Sequence, residues 1–511
     1  MQYRKYQKET IQKIRELMND TKVIFEDVPT GGGKSFINVL TAYEEGSGYI
    51  TTPLKPLVDQ YDRDLSSVFA GMGTIIKGRN NYDCIYSIAN GNTTENSADG
   101  ARCQTDSDWK CPYKSECYYY KAKYEAIASK VTVTTLAYML NAIVREINNF
   151  GDIQIEEDED GNQVLKHWNK RKVLVIDEAH GLPDALADFY SFGTTDKKIL
   201  FNLTGEVTHD LDYIIKYTED EIERVKDEEQ DEDKRRRRIF RLKTRLQTLE
   251  NVKNNIDDFI YNFTENSVTF KPFSVKNMAA SIWKNFDNIV LSSATFLNYD
   301  RLIEETGLPN NYAVVSMPSQ FPPENSRIYF KNIEKLNYKN INESIPKLYK
   351  SIVEILEKHK DEKGIIHNTS YKLQKALYEY DNDRFFIHEN SKDKAEVMEE
   401  WQNSKNGVLL AVKMEEGIDL KYDKARFQII VKTPYPDTSD KWIKKHLEVD
   451  GWDWYNERAL LTLVQACGRV MRANDDYGIT YLLDTNSFIL IARYRHILQK
   501  WFLERIVWKK N

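Results

Sequence analysis

No run of about 18 apolar residues occurs in this chain, which excludes an ordinary membrane-spanning helix. The opening Met1-Gln2-Tyr3-Arg4-Lys5 also lacks the apolar core of a secretory signal peptide. Both absences predict a soluble protein of a reducing, cytoplasmic compartment, with no membrane partner. Nor is there an excess of basic charge: 72 Lys and Arg against 79 Asp and Glu leave a formal net charge of −7. A nucleic-acid partner would have to sit in a local groove, since no global basic field exists to attract it. Cysteine is scarce and unevenly placed. Of five, Cys467 stands alone while Cys84, Cys103, Cys111 and Cys117 crowd one stretch. In a reducing compartment such a quartet reads as a metal site before it reads as disulfides. At 511 residues the chain is too long for one core, and about three or four units are expected.

What is present begins with Val28-Pro29-Thr30-Gly31-Gly32-Gly33-Lys34-Ser35, just after the apolar run Val23-Ile24-Phe25. Three consecutive glycines let backbone N–H groups turn toward an anion with no Cβ in the way, and a following helix adds its positive end. Lys34 is placed to reach the outer phosphates of ATP and Ser35 to hold Mg²⁺. Val28 stands where the strict P-loop pattern has glycine, so the match is to the relaxed Thr-Gly-x-Gly-Lys-Ser form. A helix is predicted over residues 4 to 18, its stripe formed by Ile11, Ile14, Leu17 and Met18. Arg4 and Gln7 at its start are ordinary solvated residues in isolation. Before a phosphate loop, a glutamine offering both donor and acceptor suits the edge of an adenine ring. Strand Tyr49 to Thr52 and an amphipathic segment from Pro53 to Gln60 repeat the strand–helix rhythm of a parallel sheet.

Residues 72 to 125 break that rhythm. They carry the four clustered cysteines, Trp109, Tyr113, Tyr118, Tyr119 and Tyr120, and the basic Arg102, Lys110, Lys114, Lys121 and Lys123. Four thiolates can close a zinc site or hold an iron–sulfur cluster, and spacing alone does not separate the two. The gaps here are longer than paired Cys-x-x-Cys knuckles, which favours the cluster. Aromatics interleaved with lysines can stack on unpaired bases, although tyrosine-rich stretches also serve as packing.

The strand pattern resumes at Val131 to Thr135, and residues 151 to 168 read as an exposed acidic hairpin. Val173-Leu174-Val175-Ile176 is a fully apolar strand ending in Asp177-Glu178-Ala179-His180. A buried parallel strand delivers carboxylates at its C-terminal end, where α/β proteins bind ligands. Asp177 would complete the Mg²⁺ shell through water, Glu178 would act as base on the attacking water, and His180 would couple the nucleotide to a second ligand. Between residues 183 and 282 an acidic block, Asp227 to Asp233, abuts a basic one, Lys234 to Arg238. This predicts a solvated helical hairpin held by ion pairs, with a basic contribution to a nucleic-acid groove as the weaker alternative. Strand Ile289 to Leu291 runs into Ser292-Ser293-Ala294-Thr295, whose hydroxyls suit a relay. Prolines around Met317 to Pro323 mark a linker to a second alternating lobe. There, Gln465-Ala466-Cys467-Gly468-Arg469-Val470-Met471-Arg472 is predicted on one helix, with Arg469 and Arg472 on one face in arginine-finger geometry.

Thr30-Gly-Gly-Gly-Lys-Ser35, Asp-Glu-Ala-His180, Ser-Ala-Thr295, Glu-Gly-Ile-Asp419 and Gln-x-x-Gly-Arg-x-x-Arg472 together resemble superfamily 2 helicases across nearly the whole chain. The four cysteines, and the insertion between the acidic box and Ser293, are similar to the iron–sulfur XPD/DinG branch. The resemblance implies an α/β fold with two RecA-like parallel-sheet motor lobes, an iron–sulfur insertion and a helical arch. The expected division is lobe 1 over 1–71, 129–182 and 283–320 with the linker, the cluster insertion over 72–128, the arch over 183–282, and lobe 2 over 321–511. It implies an ATP-driven helicase moving 5′ to 3′ on single-stranded DNA and opening tailed or forked duplex, with RNA or a DNA–RNA hybrid as the lesser substrate. It further implies ATP, Mg²⁺ and a 4Fe-4S cluster, zinc being the lesser alternative. Arg4 and Gln7 match its adenine-reading element, Gly417 and Asp419 its nucleotide contacts in lobe 2, and Thr52, Lys55, Thr134, Thr135 and Ser370 its contacts to the strand. Thr52-Pro53-Leu54-Lys55 looks more like the generic superfamily pattern, and the cysteine stretch and arch are compact. Two other classes keep much of the pattern: a translocase or remodeller without strand separation, and a nucleotide-switch binding protein, against which Glu178 and Arg469 count.

Overall fold

The computed structural model describes residues 4–91, 96–106, 108–150, 155–157, 163–165, 167–337, 339–380, 383–388, 394–412, 422–470 and 476–508. Gly417, Asp419 and Arg472 lie outside the described residues. Apolar runs that alternate with amphipathic helices build two parallel sheets, one per lobe. The first contains β1 (Val23–Asp27), β2 (Gly48–Thr52), β3 (Gly73–Ile75), β4 (Val131–Thr135), β5 (Arg171–Asp177), β6 (Phe286–Ser293) and β7 (Tyr312–Ser316). Their order is β7-β1-β6-β5-β2-β4-β3. Alternate residues of one strand enter opposite layers, as the period of two requires. Phe25, Leu174, Ile176 and Leu291 pack with the layer containing Trp168 and Trp283, whereas Ile24, Val173, Val175 and Val290 pack with Ile14, Ile37 and Tyr61. A strand buried on both faces has no polar side to spare, hence its continuous apolar run.

The second sheet contains β8 (Ile328–Glu334), β9 (Gly364–Asn368), β10 (Phe385–Ile387), β11 (Val408–Val412), β12 (Phe427–Ile430), β13 (Ile479–Asp484) and β14 (Ile506–Val507), in the order β10-β11-β9-β12-β13-β8-β14. The helices that place the site are α1 (Lys5–Leu17), α2 (Lys34–Glu44), α3 (Lys55–Ser67), α4 (Tyr118–Ala128), α5 (Leu182–Tyr190), α6 (Val207–Glu228), α7 (Glu232–Asn254), α8 (Tyr299–Thr306), α9 (Lys441–Val449) and α10 (Gly451–Cys467). Among the described residues no helix is long and apolar enough to cross a membrane.

The cysteine stretch leaves the first sheet after β3, which pairs with β4, and returns through α4. Arg171 fastens that return. Its buried guanidinium donates to the carbonyls of Gly48 at 2.9 Å, Ala126 at 2.9 Å, Ile127 at 3.2 Å and Lys130 at 3.2 Å, and lies over the Tyr49 ring at 4.3 Å. A buried cation is tolerated when its donors are so used.

The segment after α5 holds α6 and α7 as a helical hairpin, with Lys253 Nζ 2.8 Å from Asp212 Oδ1 and Arg238 paired to Glu221. It also holds a three-stranded antiparallel sheet of Phe192–Thr194, Ser267–Pro272 and Phe259–Thr264 that the helical expectation omitted. The basic block is not wholly solvated either. Arg237 is fully buried, its guanidinium donating to Asp233 Oδ2 at 2.9 Å, Ser97 O at 2.7 Å and Ser87 Oγ at 2.7 Å, and to Asp99 O. Three of those partners belong to the cysteine stretch, so one arginine clasps the two insertions together. Within residues 151 to 168, Ile155–Glu157 and Gln163–Leu165 pair as an antiparallel hairpin.

Candidate nucleotide and nucleic-acid site

The phosphate loop joins β1 to α2. Gly31 and Gly33 adopt φ of 79° and 84°, a region costly for residues with a Cβ, and space forbids one as well. An added Cβ would stand 1.9 Å from the Phe321 ring at Gly31 and 2.4 Å from Gln7 Nε2 at Gly33. Because α2 begins at Lys34, the loop leads directly into the positive end of a helix. Gln7 is buried against this loop, and its Oε1 accepts from Arg4 N at 3.2 Å. Arg4 itself is exposed.

Asp177 ends β5, and both of its oxygens are engaged. Glu178 N donates to Oδ1 and Tyr61 OH to Oδ2, each at 3.0 Å. Burial, reinforced by the neighbouring Glu178 charge, pushes the Asp177 acid up to about 6. Glu178 has φ of 51°, unusual for a residue with a side chain. That turn puts its carboxylate 3.6 Å from Lys34 Nζ and 3.4 Å from His180 Nδ1. His180 Nδ1 also meets Ser293 Oγ at 2.8 Å, and that hydroxyl accepts from Thr295 N at 3.0 Å. The Gln465 amide of lobe 2 meets His180 Nε2. A Ser293–His180–Gln465 chain therefore spans the lobes beside the carboxylates.

Lobe 2 delivers Gln465 on the last turn of α10. The helix stops at Cys467, with Gly468 capping it. Arg469 accordingly follows the helix end instead of riding its face, a correction to the expected continuous helix: glycine at 468 has a low propensity to continue a helix. The Arg469 charge reaches β9, where burial first and this charge second push the His367 imidazolium down to about 4. Gly468, Phe321, Trp501 and Arg505 line a narrow cavity of about 20 Å³ with Pro29 and Thr30 of the phosphate loop.

Of the residues expected at the nucleic acid, Thr52 and Thr135 pair in register on β2 and β4. Thr52 and Thr134 are fully buried, their hydroxyls donating to Leu54 O at 3.0 Å and Ile76 O at 2.8 Å. Thr135 and Ser370 cap helices, accepting from Tyr138 N at 3.2 Å and Leu373 N at 3.3 Å. Lys55 opens α3 on the surface, and its Nζ donates to Asn81 Oδ1 at 3.2 Å.

All five cysteines are free thiols, with Cys84 and Cys467 buried and the others half-buried. Burial first, then the charges of Cys103, Cys84 and Cys117, raise the Cys111 thiol, so the four share one neighbourhood. Among the described residues no three His, Cys, Asp or Glu side chains stand in metal-binding geometry. Arg79 lies over Tyr119 at 4.1 Å and Tyr120 at 5.4 Å, and Tyr120 stacks on Tyr124. Much of the aromatic and basic interleaving is thus spent inside the insertion, while Tyr118 stays exposed.

Comparison with known proteins agrees with this geometry at both ends of the chain. Residues 1–208 match the family described as type III restriction enzyme, res subunit, and residues 352–505 match a helicase C-terminal domain. The "ATP-dependent DNA helicase YoaA" of Haemophilus influenzae is 21% identical over 590 aligned residues, which span 92% of this chain and 89% of that protein. The solved structure titled "XPD_Helicase" superposes with a TM-score of 0.68 at 16% identity, covering 99% of this chain and 100% of that one. In its two matched families and in its fold the chain resembles the superfamily 2 XPD/DinG type. A further solved structure, S. tokodaii Xpd4, covers 98% of this chain and 99% of its own at a TM-score of 0.59 and 14% identity.

Two features of this motor site escaped the sequence. Glu26, on β1, is fully buried, and burial first, then Asp177, push its acid well above the carboxylate range. An acidic residue inside an apolar strand was its only trace. The second is a set of interlobe contacts beyond Gln465. Arg458 of α10 pairs with Asp184 of α5, Arg301 Nε lies 2.8 Å from Glu457 Oε2, and Trp454 Nε1 donates to Glu305 Oε1 at 3.0 Å. Arg301, Glu305, Trp454, Glu457 and Arg458 line a cavity of about 60 Å³ together with His180, Thr295 and Phe296.

Proposed function

We propose that the chain is an ATP-driven DNA helicase that moves 5′ to 3′ on single-stranded DNA and separates duplex. The observation that carries this reading is the meeting of Lys34, Asp177 and Glu178 at one end of the first sheet, with His180 joined to Gln465 of the other lobe. Glu178 orients and deprotonates the water that attacks the γ-phosphorus; the bond to the β-phosphate oxygen breaks, and ADP and phosphate leave. Lys34 neutralises the phosphates, and Arg469 supports the charge that builds on the transferred group. Gln7 and Arg4 serve the adenine, and Arg472, Gly417 and Asp419 complete the lobe 2 side. Ser35 and Asp177 would hold Mg²⁺, which supplies charge neutralisation between the phosphates. Hydrolysis changes how the lobes meet through Ser293, His180 and Gln465, and Lys55, Thr135 and Ser370, with Thr52 and Thr134 behind them, convert that change into movement along the strand.

Cys84, Cys103, Cys111 and Cys117 would hold a 4Fe-4S cluster. Four unbridged thiols in one neighbourhood suit a thiolate-ligated group, and its role would be to pin a loop-rich insertion beside the strand. The site of action is intracellular, where such thiols stay reduced. The deciding experiment uses anaerobically purified protein on duplexes bearing a 5′ or a 3′ single-stranded tail. ATP-dependent opening of the 5′-tailed duplex alone is expected. Opening of the 3′-tailed duplex alone would overturn the direction, and strand-stimulated ATPase without opening of either would make the chain a translocase.

A further inference from the structure

We propose that the Tyr61 hydroxyl is the positioning group that sets the Asp177 carboxylate for its divalent cation, an inference that rests on the nucleotide chemistry proposed above. Tyr61 lies on α3 and is 1% exposed. Its hydroxyl donates to Asp177 Oδ2 at 3.0 Å and accepts from Asn38 Nδ2 at 2.9 Å, so its donor and an acceptor site are both used and the phenol has one orientation. One oxygen atom thus ties together the helix that follows the phosphate loop, the end of the acidic-box strand and the helix that opens at Lys55.

A tyrosine kept only for packing would not need this arrangement. Its ring sits in the apolar layer with Ile14, Ile37 and Val175, where phenylalanine would fill the same space, yet the hydroxyl is carried into the interior at the cost of desolvation and then fully paired. The Asp177 plane is set by two donors, the Glu178 amide at Oδ1 and Tyr61 at Oδ2. The amide is backbone and comes with the turn, which leaves Tyr61 as the side chain that decides where Oδ2 points. Groups that orient metal-binding carboxylates from behind act in this way, and losing one typically weakens metal affinity about 10- to 100-fold.

The test is Tyr61→Phe in the full chain, read by binding of a fluorescent ATP analogue with and without Mg²⁺ and by the Mg²⁺ concentration that half-saturates turnover. Expected are unchanged affinity for the Mg²⁺-free nucleotide, a roughly tenfold higher Mg²⁺ requirement, and loss of most of the tightening that Mg²⁺ confers. Asn38→Ala, which leaves the hydroxyl on Asp177 but frees its other side, should shift the Mg²⁺ requirement the same way and by less. A wild-type Mg²⁺ titration in Tyr61→Phe would overturn the proposal. So would an equal loss of affinity for free and Mg²⁺-bound nucleotide, which would make Tyr61 a packing residue of the phosphate loop. Absence of Mg²⁺-dependent nucleotide binding in the unmodified protein would instead overturn the ATPase reading itself.

Discussion

Lys34 Nζ and Glu178 Oε1 lie 3.6 Å apart, so the cation of the phosphate loop faces the carboxylate of the acidic box. A phosphate that takes Lys34 must compete with Glu178 for it. Lys34→Ala is therefore expected to lose both nucleotide affinity and turnover, whereas Glu178→Gln keeps or improves affinity while turnover falls about 10²- to 10⁴-fold, the range for loss of a general base. Equilibrium binding of a fluorescent ATP analogue beside steady-state hydrolysis separates the two. Wild-type turnover by Glu178→Gln would remove that residue from the chemistry.

Arg469 emerges just after the α10 cap, where its charge is felt at His367. Its value should lie in the transition state, when negative charge grows on the transferred phosphoryl group. Arg469→Ala should lose on the order of 10³ in turnover with little change in ATP affinity. Collapse of affinity with surviving turnover would make it a ground-state ligand.

The motor was legible because its signals are local. A glycine run after an apolar strand, or Asp177-Glu178 after another, names its own place at a sheet end. Much of the rest depends on partners far along the chain. Arg237 looks like its basic neighbours, and it is buried only because Ser97 and Asp99, some 140 residues earlier, present carbonyls to it. Tyr61 looks like one more apolar position on an amphipathic helix until Asp177 arrives 116 residues later. The small sheet beside the helical hairpin had a local trace, since Phe259, Tyr261, Val268 and Phe270 alternate around a two-residue turn at Glu265-Asn266. Expectation of a helical insertion, led by the charged blocks, overrode it.

Glu305 provides a pH test of the interlobe contacts. Burial, partly offset by Arg458 and Arg301, pushes its acid up to about 7. A carboxyl whose folded value lies above its unfolded one keeps its proton where the unfolded chain has lost it, so stability falls as pH rises from about 4.5 to 7 and stays lower above that. Glu305→Gln, which can still accept from Trp454, removes this dependence. It should be more stable than the parent at pH 8, by up to about 3 kcal/mol, and close to it at pH 5. Melting temperatures measured across that range check it, and an unchanged difference between the two proteins at pH 5 and pH 8 would mean that Glu305 does not titrate there.

The cysteines yield the prediction that distinguishes a metal-bearing insertion from four structural thiols. Cys84, Cys103 and Cys117 all act on Cys111, whereas Cys467 is buried in α10 of the motor. If the quartet holds a 4Fe-4S cluster, fixed ligands replace a core too small to form in this stretch. Cys103→Ser should then lose iron, visible-region absorption and duplex opening, yet keep much of its ATPase because Lys34, Glu178 and Arg469 are untouched. Cys467→Ser should keep the iron and the spectrum. Metal analysis, absorption spectra and paired ATPase and unwinding rates on anaerobic protein check each part. Stoichiometric zinc without iron would replace the cluster by a zinc site, and normal unwinding by metal-free Cys103→Ser would remove the insertion from strand separation.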